Sequence, residues 1–422
     1  MKVPSGGPDA ERVSNRLTAL GSLLEQTLVK VVEHNEGRTR LIVPAASLEI
    51  DPPPTSPVFF NPAAHLNRDV SVAIAAASGG RTFCDSMAGV GARGIRIANE
   101  VKRVSCVALV DFNSAALGLA RRSAVLNHVG RKCEFTVSET SSYLFSRYGR
   151  EKRFDCVDLD PFGTPVGQLQ GAICATADGG ILSVTATDTA VLCGVYPKVA
   201  RRRYGAFPLN NSFNHETAIR LLAGAVARIA ATLDIGAWPV ASHSTRHYVR
   251  LFLRVGTGAS KADSALSNLG HVIWCPSCGH TRSSPDPVGI CGKCESKAKA
   301  AGPLWIGGLA QTSLLHEAAK GAGEMGFDSA AEVLRGQVGV DDFPPWSYSI
   351  ERICSSLRVA TVPEERVHRK LQDAGYRAMR TPFEKTGIKT DAGFEDVVMA
   401  VRAAYVPSKE PHRQGLGAPR RP

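Results

Sequence analysis

The chain has 422 residues, of which 44% are hydrophobic and 21% are charged, and its formal net charge at pH 7 is +11. This length predicts two or three domains, each large enough to bury its own core, and the basic excess favours a polyanionic partner. No uninterrupted apolar run reaches the ~18 residues of a membrane span, and no basic-then-apolar leader stands at the N-terminus. We therefore expect neither a membrane protein nor a secreted one. The eleven cysteines, mostly scattered through apolar segments, indicate reduced thiols in a cytoplasmic protein.

The predicted domain organisation has four parts. An N-terminal extension covers residues 1–26, an α/β domain covers residues 27–256, and a smaller α+β domain covers residues 262–406. Within the smaller domain, residues 346–379 resemble two helices followed by a wing. The tail, residues 407–422, mixes basic residues with proline and glycine and has the composition of a disordered segment.

The first domain opens with signals for a hairpin, a loop and a helix. Two apolar runs, residues 29–32 and 40–43, flank a Glu-Gly pair and predict a β-hairpin. Residues 51–57 contain four prolines and must form an extended loop. Residues 70–77 are then predicted to be helical.

Four strand-like segments follow, and each ends at or just before an acidic residue. The first ends at Asp85, the second at Asp111, the third just before Glu139 and Thr140, and the fourth at Asp160. The carboxyl ends of parallel strands lie at one edge of an open α/β sheet, which is where ligands bind. The pattern predicts a Rossmann-like sheet with a nucleoside cofactor at that edge, although polar residues are also common after strands.

A glycine-rich loop, residues 86–94, follows only the first strand. Glycines let the backbone approach a cofactor closely, but the loop lacks the strict G-x-G-x-x-G spacing and is a weak signal by itself. Asp111 comes 26 residues after Asp85. An acid at the end of the second strand suits ribose hydroxyls, whose donors need an acceptor.

The segment around Asp160 is the clearest candidate for chemistry. Asp160, Pro161 and Phe162 bring a carboxylate, a rigid proline carbonyl and an aromatic face to the predicted sheet edge. The carboxylate and carbonyl can accept hydrogen bonds from an amino group, and the ring can stack on a planar base. The alternative is a plain turn, because Asp, Pro and Gly are the usual turn residues.

Basic and aromatic residues follow the next strand. Three consecutive arginines, at positions 201, 202 and 203, lie between Tyr196 and Tyr204. They can contact phosphates and stack on bases, or they can form a solvated helix face. His243 and His247 are expected to be packing or turn residues, because no nearby Cys or acid completes a metal site.

The second domain contains a four-cysteine motif with the spacing C-x2-C, twelve residues, C-x2-C. Its members are Cys275, Cys278, Cys291 and Cys294. Four thiolates satisfy tetrahedral Zn²⁺ with no open position, so the spacing predicts a structural zinc site. We expect Gly279 and Gly292 to form its tight knuckles, and a disulfide pair is the alternative.

Seven separated motifs resemble those of the tRNA (guanine-26,N2)-dimethyltransferase family. They are VFFNP at 58–62, LNRD at 66–69, GARGIR at 91–96, DLDPFG at 158–163, TATD at 185–188, LCG at 192–194 and TGIKT at 386–390. The resemblance covers most of the chain. It implies a Rossmann-like class I methyltransferase domain that uses S-adenosylmethionine, followed by a C-terminal domain that binds tRNA.

The resemblance also implies the reaction and the site residues. The reaction is transfer of one or two methyl groups to the exocyclic N2 of the guanine at position 26 of tRNA. The residues expected at the cofactor are Phe59, Arg68, Asp85, Arg93, Asp111, Glu139 and Thr140. The residues expected at the target base are Asp160, Pro161 and Phe162. The zinc is then structural, and no obligate protein partner is expected.

Other functions remain open from the residues alone. Another amino-group methyltransferase acting on RNA or DNA is the alternative within the class, although such sites usually show a second proline and an aromatic residue after the acid. A pyrimidine-C5 methyltransferase lacks support, because no Pro-Cys pair follows Asp160. A non-catalytic zinc-ribbon RNA-binding protein and an NAD-linked oxidoreductase are the alternatives from other classes.

Overall fold

A computed structural model of the chain describes residues 29–148, 152–245, 248–384 and 386–405. The predicted N-terminal extension, the predicted basic tail and His247 lie outside the described residues. The described chain opens with the predicted hairpin, in which β1 (Val31–Glu36) pairs antiparallel with β2 (Thr39–Pro44). Gly37 occupies the turn with φ of +58°, a left-handed conformation that favours glycine.

The central element is a seven-stranded sheet. Its strands are β3 (Thr82–Asp85), β4 (Cys106–Asp111), β5 (Cys133–Val137), β6 (Phe154–Leu159), β7 (Thr176–Ala186), β8 (Ile235–Thr245) and β9 (Tyr248–Thr257). The spatial order is β5-β4-β3-β6-β7-β9-β8; the first five strands are parallel, and β9 is antiparallel to both β7 and β8. The order reverses at β3, which puts a ligand crevice at the carboxyl ends of β3 and its neighbours. The predicted Rossmann-like sheet is confirmed.

Nine helices of the described chain connect or flank these strands. They are α1 (Ala46–Glu49), α2 (His65–Ser78), α3 (Ala92–Glu100), α4 (Ser114–Leu126), α5 (Thr140–Phe145), α6 (Val166–Ala175), α7 (Thr189–Leu192), α8 (Pro197–Tyr204) and α9 (Asn214–Ala231). Short 3-10 turns lie at Pro62–Ala64, Gly130–Lys132 and Val340–Asp342.

The sheet is buried on both faces, and alternate residues of each strand enter different cores. Cys84 and Val110 pack with α5, α6 and α9, whereas Phe83 and Leu109 pack with α2, α3 and α4. Strands buried on both faces lack polar alternation. Strand β8 was not predicted from the sequence, because it contains Pro239 and ends in four polar residues, one of which is the buried His243.

The rest of the chain forms two small sheets and further helices. These elements are α10 (Ala259–Leu266), β10 (Leu269–Trp274), β11 (Thr281–Ser284), β12 (Lys299–Trp305), α11 (Thr312–Met325), α12 (Asp328–Arg335), β13 (Tyr348–Ser349), α13 (Ile350–Leu357), α14 (Glu364–Asp373), β14 (Ala378–Arg380), β15 (Gly387–Thr390) and α15 (Phe394–Ala404). The sheet orders are β11-β10-β12 and β13-β15-β14, both antiparallel. Helices α13 and α14, followed by β14, have the predicted helix-helix-wing arrangement.

Two parts of this region relate differently to the first domain. Helices α11 and α12 share a core with α2, through residues such as Leu314 and Leu315. The module from β13 to α15 has a separate core that includes Ile353, Val367 and Val401. The division of the chain between residues 256 and 262 stays a prediction. No helix in the described part of the chain combines the length and apolarity that a membrane crossing requires.

A buried ion cluster joins this last module to helix α9, which packs on the seven-stranded sheet. The Lys389 Nζ of β15 lies 2.8 and 2.9 Å from the two carboxylate oxygens of Glu216 on α9, and Arg220 contacts the same carboxylate at 2.9 Å. The ammonium also donates to the carbonyls of Pro344 and Trp346. The TGIKT motif therefore serves to join two parts of the structure.

Candidate active site and cysteine cluster

The glycine-rich loop is shaped by two of the predicted strand-end acids. Asp111 accepts hydrogen bonds from the backbone N–H of Gly89 at 2.7 Å and of Asn113 at 2.8 Å. Asp85 accepts one from the N–H of Gly94 at 2.9 Å. Burial raises the pKa of Asp85 to about 7, against the lowering effect of Arg93. A carboxylate has about four acceptor sites, so Asp111 keeps capacity for ribose hydroxyls.

The residues predicted just after the third strand, Glu139 and Thr140, order the start of α5. The Glu139 carboxylate caps the helix by accepting from the N–H groups of Ser141 and Ser142 at 2.9 and 2.7 Å, and these bonds lower its pKa. The hydroxyl of buried Thr140 donates to the carbonyl of Ser86 at 2.9 Å. Thr140 is therefore tied to the residue that follows Asp85.

Three aromatic rings lie at the carboxyl edge of the sheet. The rings of Phe59 and Phe162 meet edge to face with centroids 5.0 Å apart. Phe162 is 72% exposed, and Phe112, directly after Asp111, is 81% exposed. Phe112 was not predicted from the sequence as part of the site, although an aromatic residue directly after a strand-end acid is a readable signal. Exposed rings at a ligand-binding edge can stack on bases.

The loop after Asp160 is held in place by Thr187, the residue that directly follows β7. The N–H of Gly163 donates to the Thr187 hydroxyl at 2.6 Å, and the N–H of Thr187 donates to the Gly163 carbonyl at 2.9 Å. Gly163 has φ of +78°. Pro161 is buried beside it. The loop thus fixes its backbone while Phe162 faces solvent.

Asp160 belongs to an ion-pair network with two buried arginines. An Nη of Arg93 contacts an Asp160 carboxylate oxygen directly, and the Arg93 Nε lies 3.3 Å from Asp158. Arg250 contacts both oxygens of Asp158, one of them at 3.3 Å, and donates to the Thr185 hydroxyl at 2.7 Å. Asp158 and both arginines are buried, whereas 29% of the Asp160 side chain is exposed. The network therefore opens to solvent at Asp160. We call it the Arg93 network.

The protonation of Asp160 follows from this arrangement. Burial acts to raise its pKa, but the positive charges of Arg93 and then Arg250 outweigh burial, so the net pKa is lowered. Asp160 is consequently a carboxylate at neutral pH. An ionised carboxylate accepts hydrogen bonds and donates none.

Helix α2 completes the support of Arg93. The guanidinium donates to the Asn67 side chain at 2.8 Å and to the Ser71 hydroxyl at 2.6 Å, and Ser71 also accepts from Arg250 at 3.0 Å. Sequence reasoning missed Asp158, Arg250 and Ser71 as parts of the site. The available signal was Arg250, which together with Arg254 is one of two charged residues inside the mostly apolar strand β9.

The structure puts Arg68, predicted at the cofactor, in a second network around Arg96. Arg68 binds the Glu36 carboxylate through two hydrogen bonds of 2.6 and 2.5 Å, and its guanidinium lies over the Phe60 ring. Arg96 contacts Glu36, Asp69 and Glu100 at 2.9, 2.6 and 3.0 Å. We call this the Arg96 network. The role of Arg68 at the cofactor stays a prediction.

The four cysteines come together as the spacing predicts. Their sulfur atoms all lie within 4.8 Å of one another, with Cys275 and Cys294 at 3.6 Å and Cys278 and Cys291 at 3.7 Å. Four sulfurs bonded to one zinc ion at ~2.3 Å lie about 3.8 Å apart, so the donor set fits. A disulfide needs sulfurs about 2.05 Å apart, and all eleven cysteines are free thiols.

Only one of the two expected glycine knuckles is present. The N–H of Gly279 donates to the Cys275 carbonyl, and Gly279 has φ of +72°. In the second knuckle the corresponding donor to the Cys291 carbonyl is Glu295, which has φ of +55°, whereas Gly292 is not left-handed. The expectation for Gly292 was wrong, because the left-handed residue follows the second cysteine of the pair.

Known proteins match the chain over most of its length. A family model described as N2,N2-dimethylguanosine tRNA methyltransferase matches residues 37–402. The tRNA (guanine(26)-N(2))-dimethyltransferase of Methanothermobacter thermautotrophicus is 35% identical over 374 residues, covering 86% of this chain and 96% of that protein. The enzyme of the same name from Methanopyrus kandleri is 36% identical over 364 residues, covering 86% and 94%.

A solved structure is also similar. It is the complex of Trm1 from Pyrococcus horikoshii with S-adenosyl-L-methionine, which has a TM-score of 0.77 and 30% sequence identity and covers 87% of this chain and 99% of that one. The family resemblance of the seven sequence motifs is confirmed by these matches. The chain belongs to the N2,N2-dimethylguanosine tRNA methyltransferase family.

Proposed function

We propose that this protein transfers one or two methyl groups from S-adenosylmethionine to the exocyclic N2 of guanine 26 in tRNA. The observation that carries the proposal is the Arg93 network, which presents an ionised Asp160 beside the exposed Phe162 at the ligand-binding edge of the sheet. Family membership supports the substrate and the reaction. Asp160, Pro161 and Phe162 are proposed at the target base.

The cofactor would lie against the glycine-rich loop and the neighbouring strand ends. Asp111 has acceptor capacity for ribose hydroxyls, Phe59 and Phe112 offer rings, and the loop backbone allows close approach at Gly89, where an added Cβ would meet only the Phe59 carbonyl, at 3.8 Å. When bound, the cofactor supplies an electrophilic methyl group on a sulfonium. The proposed contacts of Asp85, Arg93 and Thr140 would then be indirect, because these side chains are buried and already bind the loop or the Arg93 network. Glu139 is exposed and accepts two hydrogen bonds, so it keeps acceptor capacity for the cofactor, as Asp111 does.

Asp160 would orient the amine and remove its proton. The exocyclic amine of guanine is a poor nucleophile because its lone pair delocalises into the ring. A hydrogen bond to the Asp160 carboxylate and another to the Pro161 carbonyl would aim that lone pair at the methyl group, and positioning supplies much of the rate in such a transfer.

The lowered pKa of Asp160 is compatible with this role. Attack on the methyl carbon puts a positive charge on the nitrogen, and the resulting cationic amine is a much stronger acid than a carboxylic acid. A weak base therefore suffices to take the proton. Phe162 would stack on the extruded base, since a paired base must leave the helix to react.

The cysteine cluster is proposed to hold one structural Zn²⁺ that joins the turn between β10 and β11 to the loop between β11 and β12. Metal binding is coupled to folding in such small sites. Metal analysis of the purified protein tests this. We expect one equivalent of zinc per chain in the parent, and we expect Cys278→Ser to lose both the zinc and thermal stability. A parent protein that is fully stable without zinc would contradict the proposal.

The tRNA substrate and the free thiols support a proposed cytoplasmic location.

Nucleoside mass spectrometry tests the proposed function. A tRNA transcript with guanine at position 26 and a matched transcript with adenine there would be incubated with the protein and S-adenosylmethionine. We expect N2-methylguanosine and N2,N2-dimethylguanosine from the first transcript only. Equal methylation of both transcripts, or modification of another base, would contradict the proposal.

A further inference from the structure

Helix α8 presents a basic surface that the proposed reaction does not use. Its eight residues include Lys198, Arg201, Arg202 and Arg203 and no acidic residue. All four cationic side chains are exposed, and only Ala200 and Tyr204 are buried. The helix is therefore attached through a small face and leaves its charges outside.

This helix is linked through Asp188 and Thr187 to the loop that carries Asp160. The Tyr204 hydroxyl donates to Asp188 at 2.5 Å, and Arg203 forms an ion pair with the same carboxylate at 2.9 Å. Asp188 follows Thr187, which exchanges two hydrogen bonds with Gly163. Two steps of hydrogen bonding thus link α8 to the DLDPFG segment, so α8 lies beside the proposed target-base site.

Aromatic side chains interleave with the charges. Tyr196 is 55% exposed, Phe207 is 42% exposed, and the Arg201 guanidinium lies over the Phe207 ring at 5.3 Å. Sites for single nucleic-acid strands combine positive charge with rings on which bases stack. We refer to Tyr196, Lys198, Arg201, Arg202, Arg203 and Phe207 as the α8 patch.

A purely structural explanation accounts for the arginines less well. Basic residues in the last turn of a helix interact favourably with its dipole. Here, however, Arg228 already donates to the Tyr204 carbonyl at 2.5 Å, at the end of α8. Phe207 is fixed by two backbone hydrogen bonds to Gly302. The end of α8 is held without Arg201 or Arg202, and within the described part of the chain the Arg202 side chain has no hydrogen bond or ion pair.

We infer that the α8 patch binds the tRNA strand that flanks the target guanine, with the arginines on phosphates and Tyr196 on a base. The inference rests on the proposed function and assigns the surface that receives the substrate. A base extruded toward Asp160 leaves its neighbouring nucleotides at the mouth of the site, next to α8. A rigid patch there would hold the strand while the base is methylated.

Salt-dependent binding tests the phosphate contacts. Arg202→Ala would be compared with Arg122→Ala, a control on α4 that is also exposed and without a side-chain hydrogen bond or ion pair among the described residues. Affinity for the guanine-26 transcript would be measured across salt concentrations. We expect Arg202→Ala to bind more weakly, with a slope of log affinity against log salt smaller by about 1 per lost phosphate contact. Parental affinity and slope in Arg202→Ala, or an equal loss in Arg122→Ala, would overturn the inference.

Stacking is tested by a pair of substitutions at Tyr196. Tyr196→Ala should weaken tRNA binding roughly 5- to 150-fold, the range for base stacking on an aromatic ring, and Tyr196→Phe should restore most of the affinity. Cofactor affinity should stay at the parental value in both. Equal affinities of the Ala and Phe variants would show that Tyr196 does not stack.

Crosslinking locates the contact on the tRNA. A photoreactive benzoylphenylalanine in place of Arg202 should crosslink to nucleotides within a few positions of the target guanine. Crosslinks confined to a distant stem would overturn the inference. These results are distinct from a failure of the proposed function, in which the parent enzyme would not methylate guanine 26. If the parent methylates guanine 26 normally but the α8 variants bind tRNA like the parent, only the present inference fails.

Discussion

Two buried arginines, three residues apart on helix α3, belong to ion-pair networks with different designs. Arg96 is surrounded by Glu36, Asp69 and Glu100, and the most exposed of these side chains is only 14% exposed. Arg93 contacts Asp158, which is fully buried, and Asp160, which is 29% exposed. One network is closed, and the other ends in a carboxylate at the sheet edge.

The difference indicates what each network does. The Arg96 network joins the β1–β2 hairpin, α2 and α3, and every charge in it meets a partner inside the protein. Buried ion pairs of this kind are weak net contributors, but removal of one partner is strongly destabilising. Burial of the charges in the Arg93 network also costs desolvation free energy, but its Asp160 carboxylate keeps acceptor sites that a ligand can reach. Charge clusters of that second kind are candidates for functional sites.

Asp160→Asn should have the largest effect on the reaction. The amide is nearly isosteric but cannot take up a proton, so we expect the methyl-transfer rate to fall by ~10²–10⁴-fold, the usual size of a general-base contribution. Binding of tRNA and cofactor should stay within a few-fold of the parent. Single-turnover methylation measures the rate. Asp69→Asn in the Arg96 network is the matched control and should keep the parental rate per folded molecule.

Arg96→Met should lower stability and leave the reaction unchanged, which is the reverse of the effect expected for Asp160→Asn. It leaves the carboxylates of Glu36, Asp69 and Glu100 without their shared cation, and we expect the free energy of unfolding to fall by about 3–5 kcal/mol. The methyl-transfer rate of the remaining folded enzyme should be parental. Denaturant unfolding combined with active-site titration measures both. A stable but inactive variant would show that the Arg96 network also takes part in the reaction.

Asp111→Ala should affect the cofactor alone. If Asp111 accepts from the ribose hydroxyls, the variant should bind S-adenosylmethionine more weakly by ~1.5–3 kcal/mol, the range for hydrogen bonds to a charged group. Calorimetry with the cofactor and with tRNA separates the two affinities. An equal loss of both would show that Asp111 acts mainly by shaping the glycine-rich loop through Gly89.

Phe162→Ala should have the smallest effect of the four. Loss of stacking on the extruded base is worth ~1–3 kcal/mol, which should appear as a higher apparent constant for tRNA with a smaller change in the saturated rate. Phe162→Tyr keeps the ring and is the control. A parental constant in Phe162→Ala would mean that the base does not stack on this side chain.

The sequence predicted those parts of the site that depend on local order along the chain. Asp85, Asp111 and Asp160 end parallel strands, and strand ends are readable because buried runs stop there. The four cysteines were equally readable from their spacing, since a short loop between two pairs brings their sulfurs together. The left-handed conformation of Glu295 could not be read from the sequence, because most residues in that conformation are glycines.

The partners of Asp160 depend on contacts between distant segments. Arg250 reaches Asp158 from a strand 92 residues later in the chain, and Ser71 comes from the helix before the sheet. Arg68 and Arg93 both stand in motifs of the family, yet their surroundings differ because Glu36 of the hairpin binds one guanidinium and Asp160 contacts the other. Sequence order alone does not indicate which buried arginine meets which acid.

The most direct test of the account is the pH dependence of single-turnover methylation in Arg93→Gln and Arg96→Gln. Burial raises the pKa of Asp160 and the Arg93 charge is the main effect that lowers it, so removal of that charge should raise the pKa. An acidic side chain is active when ionised, and its activity is lost as pH falls through its pKa. We predict that the rate of Arg93→Gln declines at a higher pH than the rate of the parent, while Arg96→Gln follows the parent. Superimposable profiles for Arg93→Gln and the parent would contradict the claim that Arg93 keeps Asp160 ionised for the reaction.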